Sequence, residues 1–440
     1  MLEKKHTRIT GFFAGLSLLT WVLLSSTSSA GCASQSSDAN DNNKPRTASA
    51  LYEKYCASCH GMHMERFAGD DREAMFNMDQ SKMADIIHDG DNETGMPAFG
   101  DVFSREESEA VAEYIRTDLK EEAESHDYRP GFPEVVETED VSFRIDTVAS
   151  GLSIPWGMDW LPNGDLLVTE RSGELFRFRD GEFVSMIDGL PDVYDKGQGG
   201  LLDIKLHPDY EENGWIYLAY SEPSGEGGNT AIMRARLEDN TLVDSERLFK
   251  AEPDTDKGVH FGCRMAFDEN NFLFFSVGER GTPENAQDLT NHCGKIHRIH
   301  DDGRIPDDNP FVDDPDAKHT IWSYGHRNPQ GLAFHPETGD LWSTEHGPKG
   351  GDELNLIEKG ANYGWPEITY GIDYDGSIIT EDTTKAGMEQ PVDGKEVNEE
   401  DEIMLREAGR VRSIETGPEG YLHIGVENPG YVVKLVPAGD

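Results

Sequence analysis

The chain has 440 residues, and 85 Asp and Glu against 39 Lys and Arg leave a formal charge of −46. So negative a surface excludes nucleic acid as a partner. The excess runs along the whole chain and reads as adaptation to high salt, which screens self-repulsion; an ordinary acidic secreted protein is the alternative. The length suggests two domains, each able to bury a core.

Residues 1–31 have the order of an export signal: Lys4, Lys5 and Arg8, the apolar run GFFAGLSLLTWVLL, then small residues ending SSTSSAGC. The apolar run is too short for a membrane-spanning helix. SAGC at 29–32 has the form of a lipoprotein box with Cys32 acylated, although Ser29 departs from the usual Leu-like residue; cleavage after Ala30 without lipidation is the alternative. The expectation is an exported, periplasmic or cell-envelope protein. Polar residues 32–48 read as a flexible tether.

Residues 49–120 read as a small all-α domain. YCASCHGMHM holds Cys56, Cys59 and His60 in the C-x-x-C-H spacing that attaches one haem c covalently and supplies its proximal ligand. A thioether opposite His60 would raise the reduction potential. Of Met62, Met64, Met75, Met78, Met83 and Met96, the first two are too near His60 to reach the other haem face. Met96 lies in GDNETGMPAFG, a loop shaped by Gly95 and Pro97 just before a last helix. His63 and His88 read as surface residues. SREESEAVAEYIRT predicts that helix, with Ser104 or a neighbour as N-cap, Glu106 and Glu107 in the first turn, and Ala110, Val111, Tyr114 and Ile115 on one stripe. MPAF followed by AVAEYI resembles a class I cytochrome c, and the resemblance makes Met96 the distal ligand.

A charged linker, 121–140, leads into a region, 141–440, with another rhythm. LPNGDLLVTER, HPDYEENGWIYLAY, FDENNFLFFSVGER, HPETGDLWSTEHG and GPEGYLHIGVENPG each join a turn to a short apolar strand. Such recurrence predicts a β-propeller, in which no blade buries its own faces and sites sit on the loops of one rim. His207 and His335 fall in blade turns. Cys263 and Cys293 are left over, and the spacing leaves open whether they form a disulfide.

Five stretches then point to a family: GQGGLLDIKLHPDY (197–210), HFGCRMAF (260–267), AQDLTNHCGKIHRIHDDG (286–303), IWSYGHRNPQGLAFHP (321–336) and EHGPKGGDELNLIEKGANYGWPEITYG (345–371). The region resembles the soluble aldose sugar dehydrogenases of the glucose/sorbosone dehydrogenase family, which use pyrroloquinoline quinone (PQQ) and calcium on a six-bladed propeller. The resemblance implies His260 as the base that takes a sugar hydroxyl proton. It implies Gln198, Arg327, Asn328 and Gln330 around PQQ and sugar, and Arg410 and Arg412 facing the cofactor's carboxylates. It implies calcium at PQQ on the carbonyls of Gly347 and Pro348, and a second calcium at Asp352, Glu353 and Tyr363. Histidine, guanidinium and hard-oxygen sites suit those tasks. Glu427 falls where relatives place an acidic group.

The match fails after ITYG. Residues 373–408 are too few for the usual intervening blade, so the propeller is expected to be shortened by about one blade. Two functions follow. In one, an exported enzyme oxidises an aldose at its anomeric hydroxyl, or a sorbosone-like aldehyde or another alcohol, and passes electrons through its haem to an external acceptor. In the other, a haem c carrier is fused to a non-catalytic propeller that binds glycans or a partner protein.

Overall fold

The computed structural model describes residues 46–64, 69–125, 132, 135–138, 141–225, 227–392, 409–427 and 430–438. The export signal, Cys32 and most of the tether lie outside the described residues.

The haem-motif region is one helical run. Thr47 caps α1 (Ala48–Leu51), a π turn spans Tyr52–Cys56, and α2 (Ala57–His60) ends at Gly61, whose φ of 83° only glycine adopts readily. After α3 (Gly69–Asn77), Asp79 caps α4 (Gln80–Asp89) by accepting from the Ser81 and Lys82 amides. Ser104 and Glu107 form a reciprocal capping box on α5 (Arg105–Tyr114). The buried stripe is Ser108, Val111, Ala112 and Ile115, so Ala112 takes the inward place expected of Ala110, which is exposed. The helix does not stop at 120. It continues through a π turn (Ile115–Leu119) and α6 (Lys120–Ser125), and Leu119 and Ala123 join the same core as Tyr52, Cys56, Met83 and Phe103.

From 136 onward the described residues form five antiparallel sheets. Sheet one holds β3 (Pro155–Trp160), β4 (Leu166–Glu170), β5 (Leu175–Arg179) and β6 (Glu182–Met186). Sheet two holds β7 (Leu201–Leu206), β8 (Trp215–Ser224), β9 (Gly227–Glu238) and β10 (Thr241–Lys250). Sheet three holds β11 (Met265–Phe267), β12 (Phe272–Val277), β13 (Lys295–His300) and β14 (Ile321–Tyr324). Sheet four holds β15 (Pro329–Phe334), β16 (Leu341–Glu345) and β17 (Glu353–Leu356). Sheet five joins β18 (Arg410–Thr416), β19 (Leu422–Glu427) and β20 (Tyr431–Pro437) to β2 (Ser142–Ala149) and the short β1 (Val136–Glu137). Pairing of β2 with β20 ties the start of the propeller to its end. Each of the five sequence repeats supplies the second strand of one sheet: β4, β8, β12, β16 and β19.

Apolar clusters fill the spaces between neighbouring blades: Met158 and Val168 with Val432, Leu167 with Ile204, Phe261 with Tyr217, and Phe274 with Leu332. Each such large side chain contributes about 1.5–3 kcal/mol on burial. The arrangement is therefore a five-bladed propeller, one blade fewer than the six of the family. The difference falls between β17 and β18, where residues 357–392 form turns and single bridges and 393–408 lie outside the described residues. On the blade that borders this interval, Val411, Ile414 and Leu422 are 45%, 57% and 46% exposed, the mark of a sheet face with no described neighbour.

The innermost strands meet at one side chain. Arg264, just before β11, donates from Nη1 to Asp203 Oδ1 in β7 (2.8 Å), from Nε to the Gln330 carbonyl in β15 (3.0 Å), and from Nη2 to the Arg412 carbonyl in β18 (2.9 Å). Its guanidinium carbon sits 4.2 Å from the ring of Trp156 in β3. Asp203 is fully buried and also accepts from the Met265 amide at 2.8 Å. Replacing Arg264 with Met strands that carboxylate and two carbonyls. Arg264→Met is predicted to cost about 3–5 kcal/mol; urea unfolding followed by tryptophan fluorescence would show it, and a loss under about 1 kcal/mol would mean the blades hold together without this hub.

Candidate functional site

Residues 258–263 form a loop at the inner end of the third blade. His260 adopts φ 55° and Cys263 φ 78°, a region that side chains other than glycine rarely occupy. Two amides from other blades hold the loop there: the His260 N–H donates to Gln198 Oε1 (2.9 Å) and the Gly262 N–H to Asn328 Oδ1 (3.1 Å). Gln198 in turn donates its own N–H to the Gly258 carbonyl at 2.7 Å.

The His260 imidazole is 13% exposed, and its Nδ1 lies 2.5 Å from Glu279 Oε1. Burial, then the nearby Arg327 charge, lowers the pKa of His260, and Glu279 offsets this only in part. Burial alone would raise Glu279, but its hydrogen bond with His260, the Arg327 charge and the Thr282 N–H hold it below its ordinary value. Both directions describe a neutral imidazole beside a carboxylate. Because a carboxylate only accepts, Nδ1 carries the proton and Nε2 is left as the basic nitrogen.

Arg327 lies 6% exposed between the third and fourth blades. Its backbone N–H donates to Glu345, and its Nη1 donates to the carbonyls of His346 (3.1 Å) and Gly347 (2.7 Å). Its Cζ is 5.4 Å from the ring of Trp365, whose buried indole N–H has no acceptor among the described residues. Gln330 and Arg412 reach the same region through their carbonyls on Arg264. The Arg412 guanidinium, however, is paired with Glu427, with Nε at 2.6 Å from Oε2, and Arg410 is exposed on β18. A neutral base, a guanidinium, two fixed amides and an unpartnered indole N–H are a donor set that fits a planar, polyanionic quinone such as PQQ.

The expected calcium residues divide. Gly347 and Pro348 lie beside Arg327, and the Gly347 carbonyl already accepts from it. Asp352 is exposed and accepts from the Gly347 N–H at 2.9 Å. Glu353 accepts from Asn355 Nδ2 (3.1 Å), and burial plus the Glu345 charge pushes its carboxyl up to about 8. The Tyr363 hydroxyl is 2.5 Å from the Leu356 carbonyl and accepts from the Glu358 N–H at 2.8 Å. The Asp352, Glu353 and Tyr363 side chains thus each have a protein partner of their own. No group of three or more His, Cys, Asp or Glu side chains placed to hold a metal occurs among the described residues.

In the helical domain, Cys56 is buried and Met96 packs against the core that contains it. Paired backbone bonds between Asp91 and Met96 (2.8 and 3.0 Å) close the loop that presents Met96. His60 ends α2; the Cys59 side chain lies outside the described residues. Met64 is also buried in this core. His207 and His335 accept from amides of their own turns, as expected. Cys263 and Cys293 are buried thiols rather than a disulfide.

Sequence reasoning missed Glu279, Trp365 and Arg264. A signal for Glu279 was present: each repeat carries a glutamate at the end of its strand or within two residues of it, namely Glu170, Glu222, Glu279, Glu345 and Glu427. Four of these, all but Glu222, are at most 5% exposed.

A propeller that gathers an acid-positioned histidine, an arginine and two amides at one end, behind a cytochrome c domain, defines a redox enzyme of the propeller dehydrogenase class. Residues 152–394 match the family model described as Glucose / Sorbosone dehydrogenase, and 43–115 match that of Cytochrome C oxidase, cbb3-type, subunit III. The aldose sugar dehydrogenase YliI of Escherichia coli is 38% identical over 67% of this chain and 93% of its own length. Quinoprotein glucose dehydrogenase B of Acinetobacter calcoaceticus is 31% identical over 52% of this chain and 53% of its own. The apo crystal structure of the soluble E. coli enzyme has 36% identity and a TM-score of 0.64, covering 67% of this chain and all of that one. The PQQ-bound aldose sugar dehydrogenase of Streptomyces coelicolor has 27% identity and a TM-score of 0.57, covering 70% and 99%. The chain belongs to the glucose/sorbosone dehydrogenase family, with a cytochrome c domain fused ahead of the propeller.

Two outcomes follow from this geometry. Glu279→Gln removes the charge that raises the His260 pKa, so the acid limb of kcat/KM in dye-coupled sugar oxidation should move to lower pH while kcat falls roughly a hundredfold. An unmoved limb with full activity would remove Glu279 from the site. Met96→Ala should lower the haem potential and alter the reduced spectrum; if neither changes, another residue is the distal ligand.

Proposed function

We propose that the protein is an exported, PQQ-dependent sugar dehydrogenase that oxidises an aldose at its anomeric hydroxyl and passes the electrons to its own haem c. The observation that carries this reading is the His260–Glu279 pair, held by Gln198 and Asn328 beside Arg327. PQQ, when bound, supplies a two-electron acceptor for the hydride from the sugar's C1. His260 Nε2 takes the hydroxyl proton, and Glu279 keeps that nitrogen free and aimed by holding Nδ1–H. Arg327 places a fixed cation where negative charge develops, already oriented by two carbonyls. Gln198 and Asn328 hold the loop, so the base is positioned before substrate arrives.

The aldose C1 loses two electrons and two protons and becomes a lactone. Haem iron carries one electron at a time, so an external one-electron acceptor, such as a cytochrome or a respiratory-chain component, must re-oxidise it twice per sugar. Calcium at the carbonyls of Gly347 and Pro348 would act as a Lewis acid toward the quinone oxygen. A periplasmic or cell-envelope location, with Cys32 as the lipid anchor, suits covalent haem attachment outside the cytoplasm.

The test is anaerobic: oxidised protein is loaded with PQQ and calcium, a panel of aldoses is added, and the haem α band is followed. Reduction is expected only when sugar and cofactor are both present, and His260→Ala should abolish it while leaving the haem spectrum intact. Absence of both haem reduction and PQQ binding would favour the non-catalytic, glycan- or protein-binding propeller.

A further inference from the structure

Among the described residues, the helical domain touches the propeller at two places, and both adjoin residues assigned above to cofactors. At the first, the Gly258 N–H, two residues before His260, donates to the Asn92 carbonyl in the Met96 loop at 2.8 Å. The contact is backbone on backbone, and three glycines make room for it. A Cβ on Gly258 would lie 1.8 Å from the Glu93 carbonyl oxygen, and one on Gly197, beside Gln198, 2.9 Å from the same atom. A Cβ on Gly95, beside Met96, would lie 2.1 Å from Val259 Cγ1. Gly197 and Gly95 also have positive φ, but Gly258 does not, so its own conformation does not call for glycine. What a side chain there would strike first is the Met96 loop. An exposed ion pair, Lys196 Nζ to Glu93 Oε2 at 3.9 Å, flanks the contact and adds little.

At the second place, Lys349 Nζ donates to the Lys54 carbonyl at 3.4 Å and lies 5.6 Å from the ring centre of Tyr55. Tyr55 precedes the haem-attaching Cys56, and Lys349 follows Gly347 and Pro348. Tyr374 packs against the helical core nearby, and a bridge between Lys349 and Ile372 holds its turn in place. Tyr374 lies in the stretch where the chain departs from its family.

We propose that the cytochrome domain is docked on the cofactor loops of the propeller in one built pose, and that electrons cross directly at the Asn92–Gly258 contact instead of through a tethered search. The inference rests on the dehydrogenase reading above and specifies its electron path. The two electrons taken from the sugar cross one at a time, each converting ferric haem to ferrous, and an external one-electron acceptor of the cytochrome class re-oxidises the iron between transfers.

Two variants of the full-length holoprotein test this. Gly95→Cys with Val259→Cys puts the new Cβ 3.6 Å from the Cβ of residue 259, within disulfide range. Under mild oxidant the disulfide should form, read by mass spectrometry, and sugar-driven haem reduction should stay within about twofold of the same variant in its reduced form. Gly258→Ala should slow sugar-driven haem reduction by about tenfold or more relative to dye-coupled sugar oxidation measured on the same variant, so that any effect on the His260 loop itself cancels. The proposal is overturned if no disulfide forms, if the disulfide stops haem reduction, or if Gly258→Ala keeps the wild-type ratio of haem reduction to dye-coupled oxidation. Loss of dye-coupled oxidation in the wild type would instead sink the dehydrogenase reading, and the disulfide, which needs no sugar, would still report the docking.

Discussion

The propeller is organised around the Arg264 guanidinium. Planar and permanently charged, it offers donors in fixed directions, and here three of them reach groups on three different blades while its face rests on a fourth. In a dry interior such bonds are strong, and an unmatched partner is costly. The blades cannot shift independently without stranding Asp203 or a carbonyl. This matters more here than in a complete ring, because one blade face carries exposed Val411, Ile414 and Leu422. Strand β2 closes the ring at its rim and Arg264 ties it at its centre. Gln330 and Arg412 thereby keep fixed positions relative to the loop that carries His260, four residues before Arg264.

Around that hub, one strand-end position has diversified. Glu170 accepts from the Ser153 and Ile154 amides and so serves the backbone. Glu345 accepts from His326 Nδ1 and from the Arg327 N–H, fixing the loop that carries the guanidinium. Glu427 neutralises Arg412, and Glu279 orients His260. A buried carboxylate is tolerable only where donors surround it, and each blade meets that requirement differently. The site arises where the donor supplied is an imidazole with a second nitrogen to spare.

The departure of the chain from its relatives after residue 371 has a structural counterpart. A missing blade removes wall from the propeller, and the shortened segment instead brings Tyr374 against the helical domain, next to Lys349. Residues on both sides of the haem motif therefore lie against the loops bearing His260 and Gly347.

The strand rhythm, the C-x-x-C-H spacing, the capping box at Ser104 and the family stretches were all legible in the sequence, because each depends on local periodicity or contiguous residues. From them the sequence determined the helical domain and a propeller one blade short, and it singled out His260, Arg327 and Asn328 as candidate site residues. Only the tertiary structure decided that Glu279, nineteen residues from His260, is its partner, that Arg412 is spent on Glu427, and that Arg264 joins the blades. It also decided that Cys263 and Cys293 stay reduced and that α5 runs on into α6. Those outcomes depend on which strand ends meet across the ring and on which charges lose their water, and linear spacing carries neither quantity.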